Sequence, residues 1–385
     1  MDTLTLPRPE PHRALLHRGP CEAARALRLQ RAHQVIHAAR SLALATLAAG
    51  VATFGMRAHA SEVGHFAPGV LNIRDFVVPE PGVYGVLYNY GYRAVRLNDR
   101  NGDELDSVTI DPGPGAGVTL GLDVDVDVYV LAPAFIWVSD WKVLGARYAA
   151  YVVPTFGNTS VGASLATQLG SGRSVEESQF NVGDLFVQPL WLGSAQKHWD
   201  LAIGYGFYAP VGKYDTETVT LPGGSTITAE AVDNIGLGFW THQLQGAASW
   251  YPWEDKRLAV ATALTYEIND EKDDFDLTPG QVLTLNWGLS QYLPLREDQK
   301  LLLEVGAAGY DSWQITEDGG SDPRITGALD RVHAAGGQLG LTYVPWNAAL
   351  NVRYLYEFAS EDRFQGQSVG VNLAIGAKLR PGTRG

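Results

Sequence analysis

The chain has 385 residues but only one cysteine, Cys21, and two methionines. A single thiol excludes a disulfide framework and any multi-thiolate metal site. Charged residues make up 18%, below the usual quarter, and bases are the minority: 29 against 42 acids, for a formal charge of −13. That balance argues against nucleic acid as a partner, because phosphate backbones call for a basic surface. No apolar run in the body of the chain reaches the roughly 18 residues of a membrane-spanning helix. Catalytic signatures are also missing. H-E-x-x-H and C-x-x-C do not occur, and His198, His242 and His333 fall on separate expected strands. "GPGAG" at 113–117 lacks the lysine of a phosphate loop and reads as a loop segment. We expect no enzyme and no cofactor. Because triads assemble in space, an enzyme acting on lipid stays as a third and lesser reading.

Glycine (43), tyrosine (17) and tryptophan (10) are plentiful instead. The N-terminus differs in kind from the rest. "SLALATLAAGVATFGM" at 41–56 is apolar and small, Arg31 and Arg40 precede it, and "AHA" at 58–60 follows. These are the parts of a secretory signal, with cleavage expected after Ala60; the alternative is a short buried or anchoring helix. Residues 1–34 are arginine-rich and unpatterned, which fits a start codon placed too far upstream, and sequencing the precursor's N-terminus tests this. Cys21 lies in the discarded part. So do eight of the 29 bases and three of the 42 acids, which leaves the mature chain thiol-free at −18. We expect residues 1–60 to be removed.

In the mature chain one pattern repeats. In "LGLDVDVDVYVLAPAFIWVSD" (120–140), Asp123, Asp125 and Asp127 alternate with Val124, Val126 and Val128. A helix would smear both types around its axis, whereas a strand puts them on opposite faces. A calcium loop is the alternative, but the glycine and distal glutamate it needs are missing, so these three aspartates are weak metal candidates. The same period recurs in "RLAVATALTYEIN", "LTLNWGLSQY" and "LNVRYLYEF". It predicts about twelve strands: 83–97, 118–139, 142–154, 178–192, 198–212, 234–251, 257–269, 280–293, 300–314, 331–344, 348–360 and 366–379. The links alternate long (98–117, 155–177, 213–233, 270–279, 315–330) with short ("SDWK", "GSAQK", "PWEDK", "PLREDQ", "PWN"). Trp137, Trp141, Trp191, Trp199, Trp250, Trp253 and Trp346 sit at or beside the short ones. Short periplasmic turns, long extracellular loops and an aromatic girdle describe a transmembrane antiparallel β-barrel. A soluble sandwich or propeller gives no reason for them.

In that frame the valines of 118–139 face lipid, and the aspartates face the lumen or stand above the membrane. Pro133 suggests a bulge or altered register. The expected lumen set is Asn89, Arg93, Arg147, Asp184, Gln188, Asp200, Glu267, Glu304, Arg353 and Glu357. It makes either a polar solute track or an internal network that fills the barrel. In 234–251 the parity switches beyond Trp240. A bulge near 239–241 would explain the switch, and it makes Trp240, His242, Gln243 and Gln245 constriction candidates. The alternative is a structural aromatic and a satisfied histidine. Residues 61–82 precede the first strand, and we expect them to tuck into the periplasmic mouth as a small plug through Phe66, Val70, Leu71 and Ile73. The alternative is a loose tail.

"GHFAPG", "GDLFVQPLWLG", "HWDLAIGYGFYAPVGKY", "NIGLGFWTHQLQG", "YPWEDKRLA", "LNWGLSQYLPL", "DRVHAAGGQLG" and "YVPWNAALNVRYLYEF" together resemble the outer-membrane proteins of the meta-pathway of phenol degradation, over about 61–379. The resemblance implies a bacterial outer-membrane channel for passive uptake of small hydrophobic or aromatic compounds. It implies membrane lipid and the barrel-insertion machinery as further partners, and it brings no catalytic residues. A non-transporting structural or adhesive barrel with acidic binding loops is the alternative. The barrel is expected over 83–379, with a tail at 380–385. Such barrels usually end on an aromatic residue, and here Leu379 stands in that place.

Overall fold

The computed structural model describes residues 64–110, 118–167, 170–177, 179–220, 226–231, 234–322, 325 and 327–378. The expected signal at 1–60, Leu379 and the tail lie outside these residues. The period-two segments become twelve wall strands: β1 (Gly82–Leu97), β2 (Val118–Val143), β3 (Ala146–Thr167), β4 (Asn181–Ala195), β5 (Trp199–Ala209), β6 (Thr241–Trp250), β7 (Leu258–Asn269), β8 (Val282–Pro294), β9 (Leu301–Gln314), β10 (Arg331–Tyr343), β11 (Ala348–Glu361) and β12 (Phe364–Lys378). Each pairs antiparallel with the next, and β1 pairs with both β2 and β12, so the sheet closes on itself. Closure removes the free edges, which a sheet must do to stand in hydrocarbon.

The alternation sets the two faces. In β11, Leu350, Val352, Tyr354, Tyr356 and Phe358 are exposed on the outside, while Asn351, Arg353, Leu355 and Glu357 are buried inside. In β7, Val260 and Leu264 point out, and Ala259, Ala261, Ala263, Thr265 and Glu267 point in. An outer belt of leucine, valine and rings is what lipid solvates. The small inward residues leave space that another part of the chain fills. The β2–β3 turn is a two-residue hairpin, Leu144 and Gly145, both with positive φ (52° and 85°), as a tight turn between twisted strands requires. Six of the seven rim tryptophans are exposed there: Trp137, Trp141, Trp199, Trp250, Trp253 and Trp346. Trp191 is the exception. It is buried inside, against Tyr151 at 5.3 Å between ring centroids.

Four further expectations need correction. First, β3 does not stop near 154 but runs to Thr167, and Ser107–Ile110 and Gly170–Glu177 add to the flanks of the β2–β3 hairpin. With 26 residues, β2 far exceeds the 9–11 of a bilayer crossing, so the hairpin projects outward. Second, the faces of the projecting part are reversed. Val124 and Val126 are inside, clustered with Ala94 and Leu97 and packed on Leu105 and Phe364. Asp125 and Asp127 stand outside with Arg93, whose Nη2 is 3.0 Å from Asp125 Oδ2. Above the hydrocarbon the outer face meets water, so the acids take that side. Third, Asn89 shares the outer face with Arg93; its amide donates to the Val371 carbonyl along the wall. Neither lines the lumen. Fourth, 234–240 is irregular, with Gly238 at φ +76°, and β6 starts at Thr241 in unbroken register with β5 and β7. The switch of parity at Trp240 is therefore a turn entering a strand, and there is no bulge.

Pro133 leaves the register unchanged. It faces Pro154, and the β2–β3 ladder lapses there between Leu131↔Phe156 and Phe135↔Val152.

Candidate functional site

Residues 64–81 enter the barrel and run through it. A chain threaded through a lumen must satisfy its own backbone groups, and the inward polar side chains of the wall do so. Glu267 accepts the Phe66 N–H (2.9 Å), Asn286 Oδ1 the Gly69 N–H (2.9 Å), and Gln338 Oε1 the Ile73 N–H (3.2 Å). Arg353 donates to the Leu71 carbonyl, and Asn372 donates to Asn72 Oδ1 at 2.8 Å. Ile73 and Phe76 are fully buried, Phe66 nearly so, and Val70 and Leu71 pack on the wall cluster of Val86, Tyr88, Ala132 and Ala134.

Two anchors fix the ends. Near the short-turn side, Arg74 lies over the Tyr292 ring at 3.9 Å. It donates to Ser290 Oγ (3.0 Å), Glu304 (3.1 Å) and the Lys256 and Arg257 carbonyls (3.0 and 2.8 Å). Toward the long-loop side, His65 Nε2 is 2.9 Å from Asp184 Oδ2, and its Nδ1 is 2.8 Å from Thr241 Oγ1. Tyr208 stacks on the imidazole and Phe239 meets it edge-on, both at 4.7 Å. Burial pushes the His65 pKa below the ordinary histidine value, against the opposing pull of Asp184. Burial likewise pushes Asp75 up, although Tyr88 and Asn72 donate to it. The segment thus reaches well past the mouth where it was expected, up to the first residue of β6.

The expected lumen residues sort cleanly. Arg147, Asp184, Gln188, Asp200, Gln243, Gln245, Glu267, Glu304, Arg353 and Glu357 lie inside. Arg147 holds the Pro79 carbonyl (2.6 Å) where the inner segment leaves the barrel. Asp200 takes Lys256 (2.6 Å) and the Tyr251 hydroxyl (2.9 Å). Glu357 accepts from Tyr92 and Tyr310 (2.8 and 2.6 Å). Trp240 and His242 are on the outside instead, a further correction; His242 Nδ1 pairs with Tyr205 OH at 2.9 Å, and Trp240 is an outward ring beside Phe207. Among the described residues no three metal-ligating side chains converge. Asp125 and Asp127 pair with Arg93, and the side chain of Asp123 lies outside the described residues.

The lumen therefore has two unlike halves. The β6–β11 half is amide, hydroxyl and charge, and most of the bonds to the inner segment go to it. The β3–β5 side carries a file of rings beside Arg147, Asp184, Gln188 and Asp200: Tyr208 to Phe186 at 4.5 Å, Phe186 to Tyr151 at 5.6 Å, and Tyr151 to Trp191 at 5.3 Å. Sequence reasoning missed this file, and it missed His65 and Arg74. Parity would have given Phe186, midway between Asp184 and Gln188. A histidine and an arginine inside a mainly apolar inner segment were the signal for the two anchors.

A family model described as "Putative MetA-pathway of phenol degradation" matches residues 109–373. An outer membrane channel from Pseudomonas putida has a similar structure, with a TM-score of 0.51 at 14% identity over 80% of this chain and all of that one. The β domain of the Bordetella autotransporter BrkA (TM-score 0.43, 11% identity, 77% of this chain and all of that one) is more distant. So is the monoaromatic hydrocarbon channel CymD (0.38, 10%, 83% and 96%). Nothing among curated proteins matches at a significant level.

Proposed function

The chain belongs to the MetA-pathway of phenol degradation family, and on that premise we propose that it is an outer-membrane channel for passive uptake of small hydrophobic or aromatic compounds. One observation carries the reading: the β3–β5 side of the lumen, which the inner segment meets at its two ends through His65–Asp184 and Arg147–Pro79, carries a file of aromatic rings between them. A barrel that only had to be filled would satisfy all sides of its filler alike. Here most hydrogen bonds of residues 64–81 go to β6–β11, while Val78 packs against Gly193 of β4 on the ring-lined side. The Pseudomonas putida barrel of the same fold is a channel, which supports the assignment. In this reading residues 61–82 are a plug within the 83–379 barrel, Gln243, Gln245 and Glu267 belong to its seat, and membrane lipid and the insertion machinery are the assembly partners. The role is transport, and no residue is given a catalytic part.

The test is single-channel conductance of the mature protein in a planar bilayer, with and without phenolic compounds, beside a form lacking 61–78. Discrete steps blocked by phenolics, and larger steps after the deletion, are the expected result. A folded barrel that stays silent in both forms returns the protein to the structural or adhesive reading. That reading has its own support in the bonds that fill the lumen and in the acidic outer face of β2.

A further inference from the structure

We propose that the ring file on β3–β5 is a binding track for aromatic solutes carrying an oxygen acceptor, with phenol-like rings as the preferred class, and that Gln188 and Trp191 are the donors that recognise the oxygen. The proposal deepens the transport reading and rests on it for its use.

The argument starts from the backbone. Residues three apart on a regular strand face opposite sides of the sheet. Gln188 and Trp191 both face the lumen because β4 carries an extra residue at Pro189. The pairing with β5 shifts between Val187↔Phe207 and Leu190↔Tyr205, and the pairing with β3 shifts between Tyr151↔Gln188 and Ala149↔Trp191. Bulges of this kind re-aim side chains and gather at functional places. Pro189 has no N–H to lose from the ladder, so it suits the bulge.

The two re-aimed side chains share an unusual property. Gln188 and Trp191 are both buried, and Gln188 Nε2 and Trp191 Nε1 have no hydrogen-bond partner. A buried donor without an acceptor is costly, and most native donors find one. Tyr151 lies between the two: its hydroxyl donates to Gln188 Oε1 at 2.9 Å, and its ring meets that of Trp191 edge-on at 5.3 Å. The amide is thus held by its oxygen with its N–H groups free, and the indole is held by its face with its N–H free.

Around them the wall is hollowed to fit. A Cβ on Gly204 would lie 2.4 Å from Gln188 Nε2, and one on Gly206 would lie 2.6 Å from Phe186 Cζ. The glycines of "IGYGF" thus seat the Gln188 amide and one ring of the file, Phe186. Its centroid spacings, 4.5 to 5.6 Å, are those of offset and edge-to-face ring pairs, so a one-ring solute can replace one partner after another as it passes. A bare hydrocarbon gains the ring contacts and leaves both donors unpaired. A ring with an oxygen gains the contacts and satisfies them. Sites built with buried polar groups discriminate in this direction.

The test uses the protein purified from outer membranes and titrated calorimetrically with phenol and with toluene, alongside Trp191→Phe, which keeps a ring, and Gln188→Leu. Heat-modifiable gel mobility reports that each variant is a folded barrel. We expect the wild type to bind phenol more tightly than toluene. Each variant should lose about fivefold in phenol affinity, the size of one hydrogen bond, with toluene affinity unchanged. Phenol binding equal to the wild type in both variants, or equal losses for phenol and toluene, overturns the donor assignment. Conductance separates the two levels. A barrel that conducts while the variants bind phenol normally keeps the transport reading and loses this site. A barrel that binds phenol through these residues but passes nothing keeps the site and loses the transport reading.

Discussion

His65 and Asp184, 119 residues apart, meet at 2.9 Å where the inner segment ends against the wall. The same carboxylate accepts the backbone N–H groups of Gly212 (2.9 Å) and Leu237 (2.8 Å), both from the loop between β5 and β6. Asp184 therefore ties the tip of the segment, the wall and an extracellular loop together, and all three should loosen when it is removed. Asp184→Ala leaves several buried donors unsatisfied and should cost about 2–4 kcal/mol of stability. Loop 210–240 should become protease-sensitive, and the open fraction in a planar bilayer should rise. An unchanged cleavage rate at that loop would show that the junction is not what holds it.

Arg74 is the matching anchor near the short turns. Truncation to alanine removes five donated hydrogen bonds and the stacking on Tyr292, and it leaves Glu304 buried with Gln338 as its remaining donor. Breaking a buried ion pair from one side costs about 3–5 kcal/mol. The cost should fall on seating of the segment more than on the wall, because the wall keeps its own ladder. Beyond Cys21 the sequence has no cysteine, so Val70→Cys in a chain beginning at residue 61 is a clean reporter. Maleimide labelling from the periplasmic side should be slow with Arg74 present and at least about tenfold faster in Arg74→Ala. Equal rates would mean that the segment is held without this anchor.

The wall was legible because period two survives wherever lipid lies on one side and a filled lumen on the other, as in "LNVRYLYEF". The alternation carries no sign, however. It could not say which face of Val124–Val128 was inner, because beyond the hydrocarbon the rule that puts valine outside is reversed. Asn89 and Arg93 were misassigned for the same reason. Trp240 and His242 were misplaced because Ile235, Leu237 and Phe239 alternate like a strand while the backbone turns at Gly238. The ring file needed the bulge at Pro189, and a bulge is fixed by pairing with two neighbours that the local sequence does not name.

Asp75 supplies a pH dependence. Its pKa stands above the ordinary carboxylate value of 3.8, chiefly through burial and to a smaller extent through Glu304, while bonds from Tyr88 and Asn72 pull it down. A carboxyl whose pKa is raised in the seated state favours seating when protonated. That contribution is complete below 3.8 and is lost as pH rises through the raised value. Open probability should therefore increase from acid toward neutral pH in the wild type. In Asp75→Asn the same profile should be flatter, with seating at neutral pH as firm as the wild type shows in acid. A steep profile retained by the variant would assign the titration to another group.

Pro133 and Pro154 face each other on the outer side of the β2–β3 ladder, and neither ring has an N–H to give. Pairing is present on either side at constant register, and the β1–β2 ladder runs unbroken through Leu87↔Pro133. The lapse is thus local to one seam and follows from the imino acids themselves. Replacing both prolines with valine supplies the missing donors and puts β-branched side chains on a lipid-facing surface that suits them. The double variant should close the ladder, adding about 1 kcal/mol per restored bond and slowing amide exchange at Phe135 and Phe156, which flank the lapse, roughly tenfold. Thr155 offers a competing hold, since its hydroxyl already donates to the Asp184 carbonyl at 2.7 Å. If exchange stays fast in the valine variant, that bond keeps β3 drawn toward β4, and Thr155→Val is the change that should let the seam pair.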